Sequence, residues 1–247
     1  MWGFFIYTHM LNNALTIVIP CKNEGINIYD CLGLIAKQKY IAGTKVIVAD
    51  ISDDTNSINW LNRAVTDFKY SIDIQIVKGG FPAKARLEGS KLSKTPYTLF
   101  LDADIMLKDD RTLVNSYEMM LMDDKHLLTI PFKTEKGWNW AFRLFDFSQW
   151  LSYLMGTPFA IGGFQLFKTK TYWEIGGYIE DELFAEDYSL SSKISADKFM
   201  IYRFYGAWTS ARRFKNKGIW WMIKIMFKSY INRKNPQFFK HHHNYWT

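Results

Sequence analysis

The sequence predicts an α/β fold: a central, mostly parallel sheet with flanking helices, followed by a C-terminal amphipathic helix. Two observations carry this. Short apolar runs rich in β-branched residues alternate with helical patterns through the first two thirds of the chain, the signature of successive βαβ units. Each run also ends on a polar, acidic or glycine-rich cluster. In open parallel sheets ligands bind beyond the carboxyl ends of the strands, so those clusters direct attention to one edge.

Taken in order, the first strand is predicted over residues 15–20 and delivers Pro20-Cys-Lys-Asn-Glu24. A helix over 24–38 leads to a strand over 45–50, which runs into Asp50-Ile-Ser-Asp-Asp54. A helix over 56–68 precedes a strand over 72–77 that ends on Lys78-Gly-Gly80. A helix over 83–92 and a strand over 98–102 complete the series with Asp102-Ala-Asp104. Carboxylates gathered on one edge repel one another unless a cation sits among them. Beyond Asp104 the pattern predicts a helix over 111–122, a strand over 127–132 and a long aromatic helix over 138–155. A strand over 160–168, a helix over 185–196, a short strand over 200–204 and a basic amphipathic stretch over 218–231 follow. Residues 1–215 are read as one domain and 216–247 as a basic C-terminal segment, with no internal repeat or low-complexity linker.

Composition narrows the class. With 247 residues, 48% hydrophobic and 22% charged, the chain is a folded globular protein and not a disordered one. The formal charge of +7 is unevenly placed: residues 1–197 sum to −4, whereas residues 198–247 hold eleven basic residues and no acid. Such a segment suits anionic lipid, diphosphate or nucleic acid. Cys21 and Cys31 are the only cysteines, too few for a disulfide framework, which favours a reducing setting. No secretory signal is read at the start of the chain. Residues 147–167 lack charge, but Gly156, Pro158, Gly162 and Gly163 divide them, and no transmembrane helix is expected.

Asp102-Ala-Asp104 is the strongest local feature. Hard divalent cations such as Mn²⁺ or Mg²⁺ take oxygen ligands, often one or two carboxylates completed by substrate phosphates. Alone, an Asp-x-Asp pair is equally a polar strand end. The order of motifs makes it specific: Thr-Ile-Val-Ile-Pro-Cys-Lys-Asn-Glu24, the Asp50 loop, Asp102-Ala-Asp104, Ile161-Gly-Gly163, Ile175-Gly-Gly-Tyr178, Glu186-Asp187 and Ser210-Ala-Arg-Arg213. From about residue 16 to residue 214 this series resembles the family 2 inverting glycosyltransferases with the GT-A fold.

The resemblance implies a transfer from a nucleotide-diphospho-sugar donor (UDP, GDP or dTDP) to an acceptor hydroxyl. By it, Pro20, Lys22, Asn23 and Glu24, with Asp50 or Asp54, hold the nucleoside; the usual Asp-Asp-Gly-Ser-x-Asp reads Ala49-Asp50-Ile51-Ser52-Asp53-Asp54, so the base contact falls on either. Asp54 is equally placed to cap the next helix. Lys84 and Arg86 line the donor side or form a solvated helix face. Asp102, Ala103 and Asp104 form the metal motif, Asp104 the more direct ligand. Asp187 is implied to be the general base, with Gly162, Gly163 and Glu186 on the acceptor side. Arg212 and Arg213 are set to clamp the diphosphate. The Gln-x-x-Arg-Trp of processive polymerases is absent, which favours single transfer.

The helix over 138–155 carries one narrow polar stripe, Asn139, Arg143, Asp146 and Gln149, against a wide apolar arc, and the stretch over 218–231 mixes Lys217, Lys224 and Lys228 with Trp and Phe. Both suit a membrane surface, a lipid-linked or glycan acceptor, and a peripheral place on the cytoplasmic side. No nucleic-acid partner is expected. A sugar nucleotidyltransferase is the competing enzyme class, but residues 20–24 lack the glycines its phosphate loop needs; a non-catalytic basic membrane or nucleic-acid binder is the competing non-enzyme. His241-His-His243 reads as an inert tail.

Overall fold

The computed structural model describes residues 10–134, 137–204 and 206–243, except for the side chain of Arg213. The first half alternates β1 (Leu15–Cys21), α1 (Ile26–Ala36), β2 (Thr44–Asp50), α2 (Thr55–Phe68), β3 (Ile72–Lys78), α3 (Pro82–Ser90) and β4 (Tyr97–Leu101). The second half holds β5 (Met106–Leu107), α4 (Thr112–Met122), β6 (Leu127–Thr129), β7 (Phe132–Thr134), α5 (Asn139–Leu154), β8 (Phe164–Lys168), α6 (Thr169–Glu174), α7 (Glu186–Ser191), β9 (Phe199–Ile201), β10 (Ala207–Thr209), α8 (Arg212–Lys217), α9 (Ile219–Ile231) and α10 (Pro236–Phe239).

Seven strands form the main sheet in the order β3-β2-β1-β4-β8-β6-β9. All neighbours pair parallel except β8, which runs antiparallel to both β4 and β6. β1 is covered on both faces, which explains its near-continuous apolar run. Edge strand β3 is more open, with Asp73, Ile76 and Lys78 exposed. Asp54 caps α2 by accepting from the Ser57 amide at 2.8 Å. α3 begins on Pro82 and lies so close to β1 that a Cβ on Gly89 would stand 2.3 Å from Val18 Cγ1.

The predicted strand over 127–132 is two strands. β6 joins the main sheet, whereas β7 pairs with β10 in a three-stranded sheet ordered β5-β10-β7. Pro131 stands between them and has no amide to donate to a ladder. The helix expected over 185–196 is only α7, the strand over 160–168 begins at Phe164 after a glycine bend, and the strand over 200–204 is the short β9. Five short elements escaped the sequence pattern: β5, α6, β10, α8 and α10. Cys21 and Cys31 are buried free thiols. No helix among the described residues is long and apolar enough to cross a membrane.

Candidate active site

β4 stops at Leu101 and the chain turns, with the Ile105 amide donating to Asp102 O at 3.0 Å. Ala103 is buried within that turn, and Asp102 and Asp104 on either side of it are both half-buried at the rim. Antiparallel β8 places Phe164 opposite Leu101, so Gly162 and Gly163 lie alongside the pair; the Asp102 amide donates to Gly163 O at 3.3 Å. Two residues after Asp104, β5 pairs with β10, and that pairing carries the start of α8 toward the same rim.

Arg86 connects the two ends of the site. It is 3% exposed on α3, and its Nη2 donates to Asp102 Oδ1 at 2.6 Å while Nη1 donates to Glu186 Oε1 at 2.5 Å. The guanidinium also lies 5.4 Å from the Tyr178 ring centroid. Burial opposes its charge, but Asp102, Glu186 and Asp187 hold it ionised. The sequence left Arg86 open between a donor-side cation and a solvated helix face; it is neither solvated nor unpaired. Lys84, two residues earlier, reaches away to Glu180 at 2.5 Å on the surface.

Asp187 sits in the first turn of α7. Its Oδ2 accepts from the Gly162 amide at 2.7 Å and its Oδ1 from its neighbour Tyr188 at 2.8 Å. The position opposite needs glycine: a Cβ on Gly162 would come within 2.9 Å of Arg86 Nη2 and 3.2 Å of Asp187 Oδ2. Ala185, just before, is held in the left-handed region at φ 47°, the kind of local strain that surrounding structure must impose. Burial pushes the Asp187 carboxyl above its ordinary range, with Arg86 and the two amides pulling it back. Glu186, more deeply buried, is pushed up to about 7.

The loops after β1 and β2 interlock. The Asn23 amide donates to Ser52 Oγ at 2.8 Å, and the Asn23 side chain exchanges hydrogen bonds with Asp53 at 2.7 and 3.0 Å. Asn23 has φ 53°, which asparagine tolerates. Asp50 Oδ1 accepts from Ser52 N and Oγ, whereas Asp54 is committed to its helix cap. Pro20 and Glu24 are half-buried and Lys22 is exposed. Arg212 reaches Glu24 at 3.8 Å from the opposite wall, so α8 meets the first-strand loop across the rim. The backbone of Arg213 follows in α8; its side chain lies outside the described residues. Burial raises the thiol of Cys31 beneath this rim, and the Asp104, Asp102 and Glu24 charges add to the effect.

Two supporting groups were not legible. Gln165, fully buried on β8, donates to Ala160 O and accepts from Tyr178 Oη, fixing the floor under Asp187. From the C-terminus, Phe239 O of α10 accepts from the amides of Leu183 and Phe184 at 2.8 and 3.1 Å. This anchors the loop that leads into Ala185, Glu186 and Asp187. His243, read as inert tail, packs its ring on Phe238 and Phe184.

Among the described residues no three His, Cys, Asp or Glu side chains stand grouped to hold a metal unaided. Asp102 and Asp104 fit a hard cation whose shell is completed by a ligand's phosphates. The local charge fits too: the Arg86 guanidinium faces Asp102, Glu186 and Asp187 together, leaving the rim acidic.

A sheet of this topology with these strand-end carboxylates defines a GT-A glycosyltransferase. The chain belongs to glycosyl transferase family 2, whose signature matches residues 16–176. It is 29% identical over 103 residues to the poly-beta-1,6-N-acetyl-D-glucosamine synthase of Staphylococcus epidermidis, a match covering 41% of this chain and 24% of that one. The chain thus spans about a quarter of that relative's length. Among solved structures, the mannosyltransferase PcManGT from Pyrobaculum calidifontis, in complex with GDP-Man and Mn²⁺, superposes with a TM-score of 0.70 at 16% identity, covering 94% of this chain and 68% of that one. TarS from S. aureus superposes with a TM-score of 0.61 at 15% identity, covering 89% and 40%. At such identities the likeness is one of fold.

Proposed function

We propose that this protein moves a single sugar from a nucleoside-diphosphate donor to an acceptor hydroxyl, with inversion at the anomeric carbon and with Mn²⁺ or Mg²⁺. The observation that carries the reading is the Arg86 fork, which ties Asp102 of the donor rim to Glu186, next to the base Asp187. Donor and acceptor chemistry are thereby held in one rigid frame. The Asn23–Ser52–Asp53 lattice shapes the nucleoside seat, and Asp50, not occupied in capping a helix, is the carboxylate assigned to it. Asp102 and Asp104 would hold the cation together with the donor phosphates; when bound, it neutralises charge on the departing diphosphate. Arg212 closes over the same rim from α8. Asp187 takes the acceptor's proton. One base and no glycosyl-enzyme intermediate give inversion. The mannosyltransferase complex with GDP-Man and Mn²⁺ supports donor and cation by fold. The acceptor is assigned as a lipid-linked sugar or glycan.

The test is nucleoside diphosphate release from UDP-, GDP- and dTDP-sugars with either cation, alongside Asp104→Ala and Asp187→Asn. Both variants are expected to lose at least about two orders of magnitude, the usual scale for a positioned base, and NMR of the product should show the inverted anomer. Retention of configuration, or full activity in Asp187→Asn, would overturn the assignment. A polymeric product would overturn single transfer.

A further inference from the structure

α5 turns a wide apolar stripe outward while burying polar groups. Gln149 is fully buried and donates to Phe159 O at 3.0 Å, and Ser152 Oγ donates to Thr157 O. Ala141 and Phe142 pack inward, whereas Asn139 and Arg143 are exposed. Trp140, Leu144, Phe147, Leu151 and Leu154 follow one another at helical spacing and are 53, 43, 55, 44 and 59% exposed. An outward apolar stripe of this size, with polar groups buried beneath it, marks a surface that meets a second apolar phase.

α9 presents a second outward apolar face, with charge added. Met222, Ile225 and Ser229 face inward, while Trp220 (80% exposed), Ile223, Phe227 and Ile231 face outward with Lys224 and Lys228 among them. The helices are joined at one end, where Trp138 stacks on Phe214 of α8 at 6.2 Å and Phe142 meets the same ring edge-on at 5.0 Å. They also converge on the residue after the base. Tyr188 lies 5.6 Å from the Phe159 ring, itself 6.0 Å from Phe145 of α5, and it feels the charge of Arg233 just past α9.

We propose that the outer faces of α5 and α9 dock this protein on an anionic lipid bilayer, which brings a membrane-borne acceptor to the Asp187 side. This deepens the transfer reading and rests on it for the acceptor alone. Charge selects lipid over a second copy of the chain. Two copies would press Lys224 and Lys228 against their equals, whereas anionic headgroups neutralise them, and the last fifty residues contain no acid to offset them. Such a surface corresponds to a cytoplasmic leaflet.

The test is co-sedimentation of the full chain with vesicles of phosphatidylcholine alone or mixed with phosphatidylglycerol. Binding is expected to the mixture, weakening as salt rises, and much less to phosphatidylcholine. Phe147→Glu with Leu151→Glu, and separately Lys224→Glu with Lys228→Glu, should each lower binding by roughly tenfold or more. Tyr70→Glu, exposed at the amino end of β3 on the opposite edge, should leave it unchanged; thermal melts confirm that all three fold. Absence of pelleting overturns the proposal, as does equal binding to both vesicles that survives the lysine reversals. So does a dimer in sedimentation equilibrium that Phe147→Glu with Leu151→Glu dissociates. Donor hydrolysis without vesicles separates the two readings: hydrolysis without vesicle binding removes the docking face alone, and vesicle binding without hydrolysis removes the transferase assignment alone.

Discussion

Asp102, Glu186 and Asp187 all act on the Arg86 guanidinium, and one positive charge cannot balance three negative ones. Burial pushes the carboxyls of both Glu186 and Asp187 above their ordinary range, Glu186 up to about 7 from 4.5, so the pair holds protons to higher pH in the folded chain than in the unfolded one. The sign follows from linkage. The native state keeps a proton that the unfolded chain releases near its ordinary value, so stability falls as pH rises between those two values. Glu186→Gln removes one titrating group of the pair while keeping an acceptor for Arg86, and should flatten that slope. Urea unfolding at about pH 5 and pH 7.5 checks it; equal slopes in both proteins would show that Glu186 is ionised throughout. The sequence offered Asp102, Glu186 and Asp187 by motif order. It left Arg86 undecided, because a basic residue in a helix has the same local signature whether it meets water or a buried carboxylate 100 residues further along the chain.

At the scale of elements, strands were legible where both faces are buried, since β1, β2 and β4 are apolar over most of their length. Three-residue strands such as β7 and β10 have no periodicity to read, and what makes them strands is each other. For α5 the two faces were visible but not which of them looks inward, because pattern fixes a helix's stripe and only packing fixes its direction. α3 is the element on which most depends. Arg86 and Gly89 share the face that meets the sheet, and Gly89 allows β1 to approach. Gly89→Ala would drive a methyl into Val18, a branched side chain with little room to rotate, and is expected to cost about 1–3 kcal/mol as overpacking. Donor turnover should fall with it, because the whole helix must shift and Arg86 moves too. Unchanged stability with unchanged turnover would mean that α3 tolerates displacement and that the Arg86 fork is not rigid.

Across the whole molecule, the two halves of the site come from strand ends far apart in sequence, and only closure of the sheet assembles them. Their order along the chain was enough to infer the fold. The clasp of α10 on the loop before Asp187 was not, since Phe239 O accepts from Leu183 and Phe184 through backbone atoms alone. An assembled but acidic rim has a thermodynamic signature. A diphosphate approaching Asp102 and Asp104 meets like charge, and a cation approaching them finds two carboxylates and no third among the described residues. Each ligand should bind weakly alone and strongly together. Anything that binds only the native state raises its stability, by about 2.7 kcal/mol at a hundred times the dissociation constant. For a chain of this size that corresponds to roughly 5–10 °C in Tm. Nucleoside diphosphate with Mn²⁺ should therefore produce a shift of this order, and either component alone only a small part of it. Asp104→Ala should abolish the joint shift, each Tm being compared with that of the same variant without ligand. A full shift that survives a chelator would place nucleotide binding outside the carboxylate pair, and with it the proposed role of the cation would fall.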